Sequence, residues 1–144
     1  MPSENVIHSI RQARETTAVE RNSAMLELEP ARQSLQAATE NLKSAQSRRD
    51  NFIANERELA RKYRELIDYC SSLANCPAAL SAQIDKLAAE RSTEYVRRKP
   101  MDQAVANCET VLAGRQQELK IAERNFQHLD QQVKELDIHM ANLN

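Results

Sequence analysis

Two series of positions, each stepping by seven, run through the first half of the chain without losing phase. Ile7, Arg14, Arg21, Leu28, Leu35, Leu42, Arg49, Glu56, Tyr63 and Cys70 form one series. Ile10, Thr17, Ala24, Ala31, Ala38, Ala45, Phe52, Leu59, Leu66 and Leu73 form the other. A fresh frame then pairs Leu80, Leu87, Glu94, Met101, Cys108, Arg115, Ala122, Leu129, Leu136 and Leu143 with Ile84, Arg91, Arg98, Val105, Leu112, Leu119, Phe126, Val133 and Met140. Alternating steps of three and four keep such residues on one side of an α-helix, and about nine heptads in constant phase predict a left-handed coiled-coil seam. Few folds other than long paired helices satisfy that constraint.

Composition agrees where it bears on the question. Aromatic residues are 3% of the chain and tryptophan is absent, so a compact core of large rings is not available. One glycine and four prolines are too little punctuation for a many-stranded fold. Charged residues make up 28%, with acids and bases interleaved to a net charge of −1. A chain that neutralises nucleic-acid phosphates needs surplus cations, so no nucleic-acid partner is expected. No apolar run approaches the length of a membrane span, and no membrane insertion is expected.

The interruption SSLANCPAAL (71–80) decides between one rod and a folded pair. Spacing alone is compatible with an uninterrupted helix. Local chemistry favours a corner: Asn75 tolerates the left-handed conformation that ends helices, Cys76 precedes proline, and Pro77 suits the first turn of a new helix. Antiparallel folding about this point brings Ile7 opposite Leu143, Cys70 opposite Leu80 and Leu66 opposite Ile84. It sets Ala24 against Phe126 and Ala45 against Val105, small against large, as dense packing requires. A register shifted by one heptad preserves that match. The expected fold is all-α, a long antiparallel two-helix coiled-coil hairpin forming one elongated domain over 1–144. Arm one covers 4–73, the turn 74–78 and arm two 79–143, with the corner near Asn75–Pro77.

Pro30 and Pro100 lie inside the two arms in unbroken phase and are read as kinks. Either costs about 3 kcal/mol in a regular helix, and Gly114 about 1 kcal/mol relative to alanine. The competing architecture is a shorter bundle of three or four helices broken at Pro30, Pro77 and Pro100.

Candidate functional residues are polar ones in the seam. Arg49 and Glu56 on arm one, with Arg91, Glu94 and Arg98 on arm two, form a polar band. It acts as register control, or as a weak point and partner site beside Pro100. Near the N-terminus, Arg14, Thr17 and Arg21 face Leu136, Val133 and Leu129, which packs poorly unless a third element completes the end. His8, His128 and His139 and the three cysteines show no ligand spacing, so no metal or cofactor is expected. No nucleophile stands at a recognisable offset from a base, and an enzyme is not expected. Cys70, Cys76 and Cys108 are odd in number and outside any CxxC, which favours reduced thiols. The opening MPSENVIHSIRQARE also lacks the layout of a signal peptide, and a cytoplasmic location is expected.

With VIHSIRQARETTAVER (6–21), LQAATENLKSAQ (35–46), FIANERELARKYREL (52–66) and QQELKIAERNFQHLDQQV (116–133), the chain resembles the FliJ/YscO/HrpO-type stalk proteins of type III secretion and flagellar export. The resemblance implies a non-enzymatic, cytoplasmic central stalk or escort. Its partners would be a hexameric secretion ATPase, an export-gate protein and chaperones. It places partner binding on Ile7, Ile10, Arg11, Arg14 and Glu15, with the LDIHMAN helix (136–142) beside them, and Arg21 joins that set from the seam. A structural subunit of a larger helical assembly, or a secreted coiled-coil effector, answers to the same pattern. An isolated monomeric hairpin is the expected state.

Overall fold

The computed structural model describes residues 3–143. Almost all of them lie in two helices, α1 over Glu4–Ser72 and α2 over Ala78–Leu143, which fold back on each other as an all-α hairpin. Ser3 caps the start of helix α1. Its hydroxyl oxygen accepts the Val6 N–H at 3.3 Å, and its carbonyl accepts those of Val6 and Ile7 at 3.1 Å. A serine in this place satisfies donors the first turn leaves open, and Glu4 behind it suits the positive helix end.

The corner occupies residues 73–77, between the helices. Helix α1 tightens at its end, with the Leu73 N–H reaching back to the Cys70 carbonyl at 3.2 Å and the Ser72 hydroxyl donating to the Tyr69 carbonyl at 2.6 Å. Two expectations change here. Asn75 does not take the left-handed conformation, since no described non-glycine residue has positive φ. A five-residue loop can reverse the chain gradually and needs no left-handed cap. Pro77 stands just outside α2 rather than in its first turn, and its carbonyl caps the helix by accepting the N–H groups of Leu80 and Ser81 at 3.0 Å.

The cysteines differ from expectation as well. Cys70 and Cys76 form a disulfide across the corner, with Cα atoms 5.1 Å apart, and Cys108 remains free. Reduced thiols at 70 and 76 are therefore corrected: the end of α1 between them bends the chain enough to bring the two sulfurs together.

Neither inner proline breaks its helix. Helix α1 runs through Pro30 and α2 through Pro100, so the three- or four-helix bundle is not the architecture. Both prolines are exposed. Each removes the N–H that would bond the carbonyl four residues earlier, and on an outer face water can take its place.

Contacts divide the chain into two units, Met1–Thr39 with Val111–Asn144, and Glu40–Thr110. In the first, Arg14 meets Asp137 and, one heptad along α1, Arg21 meets Asp130 one heptad back along α2. In the second, Glu56 meets Arg98 and, one heptad on, Tyr63 meets Arg91. Opposite steps of seven define antiparallel pairing at constant register inside each unit. In the first unit the Arg14 to Asp137 contact, at 2.8 Å, fits the register that matches the chain ends. A one-heptad slip moves the partner about 10 Å along the axis, beyond an arginine's reach.

Burial follows the heptad seam closely. The buried hydrophobic side chains are Ala24, Leu28, Ala38, Leu129 and Val133 in the first unit, and Ala45, Phe52 and Val105 in the second. All belong to the two frames, and the other seam positions are half-buried except Arg98 and Arg115. Those two arginines lift their charged heads toward water, Arg115 toward Glu118 at 3.0 Å. Alanines on α1 let the backbones approach, which is how Val105 and Val133 reach 2% and 1% exposure in so thin a core.

Candidate partner-binding surface

In the first unit the residues from the sequence reading lie on one stretch of α1 in two settings. Ile7 and Ile10 are half-buried, while Arg11 and Glu15 stand exposed. Asn5, Val6, Ser9, Ile10 and Ala13 line a shallow cleft of about 350 Å³ with Leu136 of α2. Val6, at 46% exposure, leaves its apolar side chain open at the rim.

Arg14 and Arg21 behave differently from expectation. They do not sit idle against Leu136 and Leu129. Arg14 Nε donates to Asp137 Oδ1 at 2.8 Å, and Arg21 Nη1 reaches Asp130 Oδ1 at 3.5 Å. Each stem lies over the seam while its head turns to an acid beside it, so Leu129 and Val133 are buried nonetheless. Asp130 also takes Lys134 Nζ at 2.9 Å. The Lys134 hydrogen bond, helped by the charges of Lys134 and Arg21, holds the Asp130 carboxyl below its usual range against the opposing desolvation. The Arg14 guanidinium is held above its ordinary value, chiefly by the hydrogen bond to Asp137. Both seam arginines of this unit are therefore paired within the chain. Asp130 and Asp137 are the residues that sequence reasoning missed. The available signal was an acid immediately after each of the seam leucines Leu129 and Leu136.

The polar band of the second unit is brought together only in part. Glu56 Oε2 lies 3.7 Å from Arg98 Nη1, and Arg98 Nε 3.8 Å from Asp102. The Arg91 guanidinium stacks over the Tyr63 ring, 4.8 Å from its centre, a cation–π contact. Glu94 instead faces Arg97 on its own helix at 3.5 Å. Arg49 Nε is buried without a hydrogen-bond partner, its nearest carboxylate being Asp50 at 3.9 Å, and Glu56 Oε2 is likewise buried and unbonded. Two unmet polar atoms weaken the seam at this point.

Among the described residues no group of His, Cys, Asp and Glu could hold a metal ion, and no helix is long and apolar enough to cross a membrane. The clefts are open and shallow, lined by apolar and charged side chains. What this arrangement can do chemically is make contact: apolar side chains for burial, with charges beside them to orient the approach. Compared with family models, curated proteins and solved structures, the chain matches none.

Proposed function

We propose that this chain is a non-catalytic contact protein, a helical hairpin that binds another helical protein along apolar side chains it leaves uncovered. One observation carries the reading. The chain exposes 10597 Å² at a mass of 16.4 kDa. A compact monomer of that mass exposes about 7,500 Å². The surplus includes large apolar side chains on both helices, Val6, Val19 and Leu26 on α1, and Val96, Ile121 and Ile138 on α2. Burying such side chains against a partner removes apolar surface from water, which favours association.

In its narrower form the hairpin is the central stalk of a type III secretion ATPase, with Val6, Ile7, Ile10, Arg11 and Glu15 toward the ring. The helical hairpin and the apolar cleft at Val6 support that form. The Cys70–Cys76 disulfide counts against a reducing cytoplasm. Apolar exposure on both helices and in both units favours the broader form, a subunit of a larger helical assembly. Affinity purification of the full chain from its own host tests the reading. A fixed helical partner is expected, lost on Val6→Asp with helicity unchanged; a chain that captures nothing, or a partner indifferent to Val6→Asp, refutes it. Stimulation of a hexameric ATPase by the purified chain decides for the stalk, and no binding to the ring decides against it.

A further inference from the structure

The four most exposed large apolar side chains among the described residues are Leu26 and Val96 at 72%, Tyr95 at 71% and Val19 at 66%. Three of them fall in two hexapeptides of matching design. Helix α1 carries Met25-Leu26-Glu27-Leu28-Glu29-Pro30, and α2 carries Tyr95-Val96-Arg97-Arg98-Lys99-Pro100. In each, an exposed apolar pair is followed by charges and then by a proline inside the helix. Leu28 and Arg98 are both seam positions of the same phase. Equivalent residues of the two hexapeptides therefore project from equivalent helix faces.

The charges at those equivalent places are opposite. Glu27 and Glu29 on α1 correspond to Arg97 and Lys99 on α2. Glu27 and Lys99 make no ion pair among the described residues, and Arg97 has only Glu94 at 3.5 Å. In both hexapeptides the proline frees the carbonyl of the exposed apolar residue, Leu26 or Val96, four residues earlier. Tyr95, Val96, Arg98, Lys99 and Asp102 also line a surface cleft of about 550 Å³, open to an entering side chain. Val19, one heptad before Leu26, extends the α1 face by two turns.

We propose that the 25–30 face of one copy docks on the 95–100 face of a second copy. Leu26 and Met25 cover Tyr95 and Val96, while Glu27 and Glu29 meet Arg97 and Lys99. Like faces repel and unlike faces attract, so the pairing is specified by charge as well as by apolar burial. One such contact falls short of the roughly 800 Å² per partner typical of a stable interface. Each copy carries both faces, so a second contact of the same kind adds to the first. The proposal departs from the expectation of a monomer and does not depend on the Val6 cleft.

Sedimentation equilibrium of the full chain at micromolar concentration tests it. At low salt the wild type is expected to associate, and about 0.5 M salt should shift it toward monomer by screening the rims. Glu27→Lys with Glu29→Lys, and separately Arg97→Glu with Lys99→Glu, should each give monomers of unchanged helicity. Mixing the two variants in equal amounts should restore association. A monomeric wild type at low salt, association unchanged in both variants, or a mixture that stays monomeric overturns the proposal. Should a charge swap lose helicity, Leu26→Ser and Val96→Ser replace it and must also give monomers. A monomeric wild type that still captures another protein through Val6 overturns self-docking alone and leaves the contact function standing.

Discussion

Replacing Arg49 and Glu56 together with leucine should make the protein more stable. Arg49 Nε and Glu56 Oε2 are buried and unbonded in the heptad seam. An unmet buried polar group costs about 1–3 kcal/mol. The two side chains retain 32% and 24% exposure, so solvent softens the cost and the low end applies, about 1 kcal/mol each. Against this, Arg98 loses Glu56, but it is 45% exposed and keeps Asp102 at 3.8 Å, so little is lost. The double variant should gain about 2 kcal/mol, raising the thermal midpoint by about 6 °C for a chain of this size. Urea and thermal unfolding followed by far-ultraviolet circular dichroism measure both. Arg49→Gln, which keeps a polar group in the seam, should show no such gain. A midpoint unchanged or lowered in the double variant refutes the claim that these atoms cost stability. Where the charges also hold register, the stabilised variant should unfold with a shallower urea dependence, as alternative alignments become populated.

Gly114→Ala should stabilise by about 1 kcal/mol, because the glycine is helical and an added Cβ meets nothing within 4 Å; an unchanged midpoint contradicts this. Val133→Ala and Val105→Ala should each cost about 2 kcal/mol, two buried methyl groups plus a small cavity, whereas Val96→Ala, 72% exposed, should stay within about 0.5 kcal/mol. Equal effects at the three sites would mean that the seam is not the core. Reducing the Cys70–Cys76 bond, or replacing both residues with serine, should lower stability by about 2 kcal/mol for so short a loop; thiol counting and urea melts with and without reductant check it. Asp130 has a lowered carboxyl pKa, so its contribution is present above the ordinary aspartate range and is lost as pH falls through the lowered folded value. Asp130→Asn should therefore flatten the acid side of the stability–pH curve, and an unchanged curve refutes the pairing.

On the proposed reading, function rests on the exposed side chains of the two helices. Its apolar side chains, beyond those in the seam, are arranged beside charges that orient an approach. A mutation at Val6, Leu26 or Val96 should therefore change association more than stability, while one at Val133 should do the reverse. That separation distinguishes a contact protein from a chain whose exposed apolar residues do nothing.

The seam was legible in the sequence because it depends on local geometry. A helix repeats every 3.6 residues, so the spacing from Ile7 to Leu73 and from Leu80 to Leu143 named the covered side without knowledge of the partner. The corner was legible because Asn75, Cys76 and Pro77 stand together between arms of nearly equal length, whereas a lone proline, as at Pro30 or Pro100, leaves its helix unbroken. Its details were not. Asn75 keeps negative φ, and Cys70 reaches Cys76 only because the helix ends between them, which depends on loop length and on where the second helix can dock. The candidate site divides in the same way. Ile7 and Ile10 follow from helical phase, Arg11 and Glu15 were expected only from the resemblance, and the partners of Arg14 and Arg21 follow from neither. Asp137 and Asp130 lie more than a hundred positions away in the chain. Periodicity determines which face of a helix is covered and which charges stand three or four apart on it; only the packed pair of helices decides the neighbour a charge finds across the seam, because that ion pair forms through space between residues far apart in the chain.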